Sequence, residues 1–287
     1  MQARGGRVGG NVLDLVALME GCGLREAALR LQAWCGSGTS HTATRRGPPP
    51  EPEPEPNRPL GFALRYVDPR HPYLSARGLT AATARAFGIG AYSGKGLLRR
   101  RIVIPIHNER GDLIAYAGRA IGDEEPKYRF PAGFRKSLVL FNLHRALATG
   151  VRCAIVVEGF FDTLVVHQAG YPAVVGLMGS MLSRYQADLL AAHFDRAVLM
   201  LDGDEAGRQG AVSVARTLGV RMSVAAVSVE DGCQPDQLAP AVIHQLVCNA
   251  GIDRPLEEHA WSMPSASQRT GPLEPETDDI LFRTPRT

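Results

Sequence analysis

Acidic residues follow two apolar runs in the second half of the chain. Glu158 and then Asp162 come after the first run, and Asp202 and Asp204 come after the second run, 197–201. Apolar runs of this length are typical of strands buried on both faces, and the helical patterns between them predict a parallel sheet. Because the carboxyl ends of parallel strands meet at one edge, we expect Glu158, Asp202 and Asp204 to lie close together.

Carboxylates gathered in this way repel one another and stay ionised only when a cation sits among them. Oxygen ligands without histidine or cysteine favour Mg²⁺ or Mn²⁺ over zinc, and Mg²⁺ commonly keeps positions for phosphate oxygens. The residue types therefore indicate phosphoryl transfer on nucleotides or nucleic acid. Two simpler interpretations stay open here. Asp202-Gly203-Asp204 is also typical of a turn that opens a helix, and Glu158 suits a helix N-terminus.

The composition predicts a soluble globular protein. No apolar run is long enough to cross a membrane, and the first residues lack the apolar stretch of a secretion signal. The five cysteines are scattered and include no C-x-x-C pair. We therefore expect neither a disulfide framework nor a zinc site, and we expect reduced thiols in a cytoplasmic location.

Charge is distributed unevenly along the chain. Residues 60–150 contain 15 Lys and Arg against 6 Asp and Glu, whereas residues 151–240 contain 6 against 10. A basic segment before an acidic one suits a polyanion that is held by the first segment and processed by the second. The alternative is that the basic residues only keep the surface soluble.

Local patterns predict the elements that position these residues. Two short helices are expected in 11–34, and the Pro- and Glu-rich stretch 37–59 is expected to be an extended linker. Helices are further predicted at 80–87, 183–192, 204–218 and 238–247, the second opened by a capping box at Ser183. Strands are predicted at 101–106 and 113–117, joined as a hairpin, and at 154–157, 172–176, 197–201 and 223–229.

Two motifs in the acidic segment resemble those of the TOPRIM domain, which is shared by bacterial primases, topoisomerases, and OLD-type and RecR-type proteins. They are Glu158-Gly159 after one strand and Asp202-Gly203-Asp204-Glu205-Ala206-Gly207 after a later strand. The segments RIVIPI, GDLIAYAGRA, PKY, FRKS and LFNL in the basic block resemble the RNA-polymerase domain of DnaG-type bacterial primases. Residues 10–35 resemble the end of that family's zinc-binding domain.

The resemblance implies an α/β TOPRIM domain, with a parallel sheet flanked by helices, preceded by a basic α+β primase-core subdomain. Composition and resemblance together predict a domain order of zinc-domain remnant, linker, basic subdomain, TOPRIM domain and mostly disordered tail, at 1–36, 37–59, 60–150, 151–240 and 241–287. That family's zinc ligands lie mostly before the matching residues, and Cys22 and Cys35 do not replace them at ligand spacing. A truncated gene, a misassigned start and a variant without zinc are all open explanations.

The resemblance also implies roles for the acidic residues. Glu158 would anchor the catalytic metal, and Asp202 and Asp204 would bind the metals that hold the incoming triphosphate. Asp162 and Asp236 would support them. No zinc is predicted in this chain; the implied cofactor is Mg²⁺ or Mn²⁺.

Basic residues of the first block are expected to contact the template or nucleotide phosphates: Arg101, Arg119, Lys127 and Lys136. Two departures from the family's pattern bear on the site. Arg129-Phe130-Pro131 stands where the family has a polar Asn, and Gln234 stands where it has a first Asp before Asp236. The oxygen of Gln234 can coordinate Mg²⁺ only without charge, so one metal subsite is expected to be weakened.

The implied activity is that of a DNA primase, which synthesises short RNA primers on single-stranded DNA by metal-dependent phosphoryl transfer, in a bacterial or mobile-element replication system. The implied partners are single-stranded DNA, ribonucleoside triphosphates, and a replicative helicase or a separate zinc-domain protein, with no membrane. One alternative is a TOPRIM nuclease, against which the primase-like block argues. The other is a degenerate homologue that only binds nucleic acid, which Gln234 and the missing zinc module favour.

Overall fold

A computed structural model describes residues 12–35 and 55–252 of the chain. They fall into two compact units that divide after Pro54. In chain order the elements are α1 (Val12–Glu20), α2 (Leu24–Cys35), β1 (Val67–Asp68), α3 (Pro72–Ala76), α4 (Ala81–Phe87), β2 (Gly90–Tyr92), β3 (Arg101–His107), β4 (Leu113–Ala120), β5 (Tyr128–Arg129), α5 (Leu143–Ala148), β6 (Cys153–Val157), α6 (Phe160–Gln168), β7 (Val174–Gly176), α7 (Arg184–His193), β8 (Arg196–Leu199), α8 (Glu205–Leu218), β9 (Ser223–Ala226) and α9 (Pro240–Asn249). Short 3₁₀ turns occupy Lys136–Leu138 and Pro235–Gln237.

In the first unit, α1 and α2 confirm the predicted helical pair. Val16 and Ala27 are buried, and the Arg30 guanidinium bridges the carboxylates of Glu20 and Glu26. Most of the predicted linker and most of the predicted tail lie outside the described residues.

The second unit begins with an antiparallel sheet in the order β1-β2-β3-β4-β5. β3 and β4 form the predicted hairpin. In its turn the Asn108 side-chain oxygen accepts hydrogen bonds from the backbone N–H groups of Arg110 and Asp112. Gly111 adopts a φ of 86°, which costs glycine little because it has no Cβ atom.

The other sheet of this unit is parallel, in the order β7-β6-β8-β9, and its strands are connected by α6, α7 and α8. The predicted α/β fold after an α+β block is thereby confirmed. The predicted capping box at α7 is also present, since Ser183 and Gln186 each accept a hydrogen bond from the other's backbone N–H.

The two sheets share one hydrophobic core. The Phe141 ring, between the sheets in sequence, lies 4.8 Å from the Phe160 ring of α6 and 6.2 Å from the Phe87 ring of α4. Arg145 of α5 donates a hydrogen bond to the Ala86 carbonyl near the end of α4, and its guanidinium lies 4.4 Å over the Phe87 ring. Since helix ends leave carbonyls unpaired, this contact satisfies α4 while joining the basic block to the parallel-sheet block.

The described structure continues past the predicted domain end at residue 240. Ile243 and Val247 of α9 are fully buried in the shared core. Among the described residues, no helix combines the length and apolar character that crossing a membrane requires.

The shared core predicts one cooperative unfolding transition for residues 55–252. Phe141→Ala should lower the free energy of unfolding by about 3–5 kcal/mol, because it removes a buried ring and leaves a cavity. Val220→Ala, at a residue that is 82% exposed, should change it little. Urea unfolding followed by circular dichroism measures the effect, and amide hydrogen exchange follows the two sheets separately. Two separated transitions would contradict the shared core.

Candidate metal centre and its basic cleft

Glu158 and Asp202 lie just beyond the carboxyl ends of adjacent strands. β6 and β8 pair in parallel, with Val156 opposite Leu199, so the chain leaves both strands at the same edge of the sheet. There the backbone N–H of Asp202 donates a 3.3 Å hydrogen bond to Oε1 of Glu158. The structure thus brings these two predicted ligands together.

Asp204 has a second role in the same loop. Its Oδ1 accepts a 2.7 Å hydrogen bond from the backbone N–H of Gly207, which makes Asp204 the N-cap of α8. The helix-opening turn considered above is therefore real. It coexists with the acidic cluster, because Asp204 remains exposed beside Asp202.

The spacing Asp-x-Asp-x-x-Gly has a steric reason. A Cβ atom on Gly207 would lie 2.1 Å from the carbonyl oxygen of Asp202, and one on Gly203 would lie 2.0 Å from the carbonyl oxygen of Glu230. These distances are far below van der Waals contact. Glycine at both positions therefore allows the loop to fold back tightly and present Asp202 and Asp204 together.

The Asp162 side chain is buried and connects two loops of the site through hydrogen bonds; we call this connection the brace. The residue is 7% exposed, and its two oxygens accept hydrogen bonds from the backbone N–H groups of Gly159 at 2.9 Å and Asp236 at 3.1 Å. Burial, followed by the charges of Asp236 and Asp202, raises the pKa of Asp162 to about 7. The side chain therefore ties the loop after β6 to the turn at Pro235–Gln237.

Glu158 and Asp202 are destabilised as anions. Burial raises the pKa of Glu158, and the charges of Asp202 and Asp204 raise it further. Burial also raises the pKa of Asp202; a hydrogen bond from Gln234 opposes that shift, the charge of Asp204 adds to it, and the charge of Lys127 opposes it.

The donor set fits a hard divalent cation. Oδ1 of Asp202 is buried and has no hydrogen-bond partner among the described residues, and a cation would satisfy it while relieving the repulsion from Glu158 and Asp204. Within 12–35 and 55–252, however, no three histidine, cysteine or acidic side chains already form a finished metal site.

Two of the expected metal-site positions are engaged by other side chains. Nε2 of Gln234 donates a 2.6 Å hydrogen bond to Oδ2 of Asp202. The amide nitrogen of Gln234 therefore faces Asp202, and the weakened metal subsite at this position stays a prediction. The Asp236 side chain, 3% exposed, forms a salt bridge with Arg77. Sequence reasoning misses Arg77, because it lies 159 residues before Asp236 in no motif that marks it.

A polar cleft of about 450 Å³ lies in the basic block. Its lining includes the cations of Arg77, Arg119 and Lys127 and the carboxylates of Asp123, Glu124 and Glu125. We call it the basic cleft, after the block that contains it. The guanidinium of Arg119 lies 5.0 Å over the ring of Tyr128, and its Nη1 donates a 3.1 Å hydrogen bond to the Tyr128 hydroxyl. Arg119 is thus held in place by an aromatic surface, whereas Lys127 is exposed.

The other two predicted basic contacts differ from each other. Lys136 is exposed, and its Nζ donates a 3.2 Å hydrogen bond to the Met178 carbonyl, beyond β7. Arg101 is only 4% exposed, and its Nη1 donates to the carbonyls of Gly118 and Pro126. The expectation that Arg101 contacts nucleic acid is therefore corrected: it fastens the segment that carries Lys127.

The departure at Phe130 also has a structural counterpart. Its ring stacks on Phe134 at 5.6 Å and lies 6.3 Å from Phe160. The position where the family has a polar Asn thus belongs to an aromatic cluster that packs beside the acidic loop.

Comparison with known proteins places this geometry in a class. Residues 152–226 match the Toprim domain family, and residues 92–147 match the family described as DNA primase catalytic core, N-terminal domain. The chain therefore carries a Toprim domain preceded by the N-terminal domain of a primase catalytic core.

More specifically, a DNA primase of Thermotoga maritima is 33% identical over 161 residues, covering 53% of this chain and 28% of that protein. A DNA primase domain from Pseudomonas aeruginosa has 28% identity and a TM-score of 0.54, covering 59% of this chain and 66% of its own. The zinc-binding and RNA polymerase domains of the Aquifex aeolicus primase share the fold, with 24% identity and a TM-score of 0.56, over 84% of this chain and 71% of that structure. The resemblance to DnaG-type primases is confirmed, and the chain spans about a quarter of the curated relative's length.

The tight loop before α8 predicts that alanine substitutions at two glycines of this region have opposite effects on stability. Gly207→Ala should destabilise the fold by about 1–3 kcal/mol, because its Cβ atom collides with backbone. Gly210→Ala, also in α8, meets its nearest atom at 3.4 Å and should instead stabilise by about 0.5–1 kcal/mol. Thermal and urea unfolding of both variants decide this, and equal effects would show that the loop is not so constrained.

Asp162 predicts a pH dependence of stability in metal-free, chelated buffer. Its folded pKa of about 7 is above the unfolded value of about 4. The contribution of Asp162 to the free energy of unfolding is therefore fully present below about pH 4 and is lost as the pH rises through about 7. The free energy of unfolding should fall over this range by a few kcal/mol, and Asp162→Asn should flatten the curve.

The matched control is Asp188→Asn, an exposed carboxylate on α7, which should keep the wild-type slope. If Asp162→Asn keeps that slope as well, the pH dependence arises elsewhere.

Proposed function

We propose that the described domains form the catalytic core of a primase-type nucleotidyltransferase, which joins ribonucleotides on a single-stranded DNA template. The observation that carries this proposal is the acidic cluster of Glu158, Asp202 and Asp204 next to the basic cleft. Burial raises the pKa of Asp202, and the nearby charge of Lys127 opposes that rise. Carboxylates and cations this close together suit a substrate with phosphate groups and a bound metal, because the carboxylates can bind the metal and the cations can bind the phosphates.

The acidic cluster would hold Mg²⁺ or Mn²⁺ through Glu158, Asp202 and Asp204. Such an ion, when bound, neutralises phosphate charge and polarises the group that is transferred. Asp162 holds the loop after β6 by accepting two backbone hydrogen bonds, and Asp236 is tied to the same brace through its backbone N–H. The brace keeps Glu158 in place while substrate binds.

Arg119 and Lys127 would bind phosphates of the nucleotide or template. Arg119 is fixed by the rings of Tyr128 and Phe161, at 5.0 and 5.7 Å. A cation that is already oriented stabilises developing phosphate charge without reorganising during the reaction. Lys127 is exposed and keeps more freedom, which suits contacts to a backbone of variable path, and Lys136 would exchange its hydrogen bond to the Met178 carbonyl for such a contact.

The partners follow from the same likeness. The curated relatives are named DNA primase, so single-stranded DNA and ribonucleoside triphosphates are the proposed substrates. A replicative helicase or a separate zinc-domain protein would help engage the template. A cytoplasmic location belongs to the same proposal.

Incorporation of labelled ribonucleotides on single-stranded DNA tests the activity. The full chain should make short oligoribonucleotides, more readily with Mn²⁺ than with Mg²⁺, because Mn²⁺ tolerates a less ideal set of ligands. Glu158→Gln should abolish incorporation while DNA binding is retained. Adding a cognate zinc-binding domain in trans should increase synthesis.

Two results would replace the proposal. Metal-dependent cleavage of the DNA without incorporation would indicate a Toprim nuclease. Intact DNA binding with neither reaction, in either metal, would indicate a non-catalytic accessory protein.

The basic cleft generates a further prediction. Replacing Arg119, Lys127 and Lys136 by Ala should weaken binding to single-stranded DNA. It should also reduce the slope of log K against log salt by about 2, since each lost phosphate contact contributes about 0.7. Fluorescence anisotropy over a salt series measures both quantities.

The control removes the same charge from the opposite edge of the parallel sheet and from the far end of α8. It replaces three exposed residues by Ala: Arg152, Arg216 and Arg221. The surface salt bridges of Arg152 and Arg221 contribute little stability, and the salt slope should stay near the wild-type value. Equal loss in both triple variants would show that binding depends on net charge alone.

A further inference from the structure

Another cavity of the basic block is used by neither the acidic cluster nor the basic cleft. Its volume of about 480 Å³ is within the range of sites that bind small organic molecules. The segment that leads into β1, the end of α4, strands β3 and β4, and Arg145 of α5 form its walls. It shares no lining residue with the basic cleft. We call it the α4 pocket.

The walls of the α4 pocket are mostly apolar. The larger apolar side chains among its lining residues are Leu64, Val67, Phe87, Ile89, Pro105 and Leu113. Four lining residues have polar side chains, Arg85, His107, Tyr116 and Arg145, and no aspartate or glutamate lines the pocket. An apolar cavity with a few polar groups is typical of a site for a small molecule that has one polar end.

The Arg145 guanidinium is a buried charge without a counterion in this part of the chain. The residue is 9% exposed, and Nη2 donates a 3.1 Å hydrogen bond to the Ala86 carbonyl. Among the described residues, no carboxylate forms a salt bridge with Arg145, and its Nε and Nη1 form no hydrogen bond. Buried arginines are rarely left unpaired, because desolvating a charge is costly. Arg145 therefore lacks an anion that a ligand can supply.

The titratable groups around Arg145 leave it as a single buried charge at neutral pH. Burial lowers the pKa of His107 and His167 to about 4 and that of His144 to about 3, and the charge of Arg145 lowers each of them as well. The charge of Asp112 opposes the shift of His107. Burial lowers the pKa of Arg145 only to about 10. One negative charge therefore balances this wall of the pocket.

We propose that the α4 pocket binds an organic anion with a carboxylate head and an apolar body, and that Arg145 pairs with the carboxylate. The apolar walls remove the body from water, and the guanidinium donates charge-assisted hydrogen bonds to the head. A doubly charged phosphate head fits less well, because it leaves a net negative charge in an apolar site. This site goes beyond the proposed function and does not depend on it.

Isothermal titration calorimetry of the full chain with octanoate, at neutral pH and constant ionic strength, tests the proposal. The wild type should bind one octanoate per chain. The uncharged analogue 1-octanol should bind about tenfold more weakly or worse, because it lacks the charge-assisted hydrogen bonds to Arg145. Octyl phosphate should also bind more weakly than octanoate.

Arg145→Met removes the charge and keeps an unbranched side chain. It should weaken octanoate binding by about tenfold or more and leave 1-octanol binding unchanged. The control is Arg99→Met, at an exposed residue that does not line the pocket, and it should bind octanoate like the wild type.

A second variant is needed because Arg145 also holds the Ala86 carbonyl, so its loss can unfold the chain. Ala63 lines the pocket from an exposed position, and Ala63→Phe puts a ring at the pocket wall without disturbing the core. This variant should weaken the binding of both octanoate and 1-octanol. Its control is Ala82→Phe, at an exposed residue of α4 outside the lining, which should change neither.

The outcomes are distinguishable. Absence of saturable octanoate binding to the wild type, or 1-octanol binding of equal strength, would overturn the proposal. Tighter binding of octyl phosphate would overturn the carboxylate head. Unchanged binding in a folded Ala63→Phe would overturn the assignment to the α4 pocket. Each of these results concerns binding and not ribonucleotide incorporation, so any of them would leave the proposed function standing.

Discussion

Repulsion between carboxylates at one edge of a parallel sheet is the constraint on which the rest of the structure depends. β6 and β8 are adjacent and parallel, so no choice of loop can move Glu158 and Asp202 to opposite ends. In the loops, hydrogen-bond donors point toward the carboxylates. Backbone N–H groups reach Glu158, Asp162 and Asp204, and Gln234 reaches Asp202.

The same constraint explains why the loops are so tight. Each N–H must come from a residue close in sequence or from the neighbouring loop, and the chain must fold back to present it. Gly207 and Gly203 permit that approach because a Cβ atom at either would collide with backbone. The motif is therefore as much a requirement of folding as of chemistry, and Asp204 serves both by capping α8.

Features with local causes could be predicted from the sequence. Apolar runs gave the strands β6 and β8, the capping box gave the start of α7, and the turn residues gave the β3–β4 hairpin. The gathering of Glu158 and Asp202 followed as well, because strand direction and adjacency are fixed by the connecting helices.

Features that depend on contacts across the fold could not be predicted in this way. Arg101 looked like one of several basic residues, and only packing shows that it is buried against the carbonyls of Gly118 and Pro126. Gln234 could present either end of its amide, and the choice is made by Asp202, which is distant in sequence. Arg77 gave no signal, since a lone arginine is usually a solvated surface charge.

Arg77 also changes how the order of the two charged blocks is understood. A basic block before an acidic one suits a polyanion, yet Arg77 uses its charge inside the protein, on the buried side chain of Asp236. Removing one partner of a buried ion pair typically costs about 3–5 kcal/mol, because the other charge is left uncompensated. The basic block therefore does more than face the substrate. Arg77 also completes the electrostatics of the parallel-sheet block, with which the basic block shares a core.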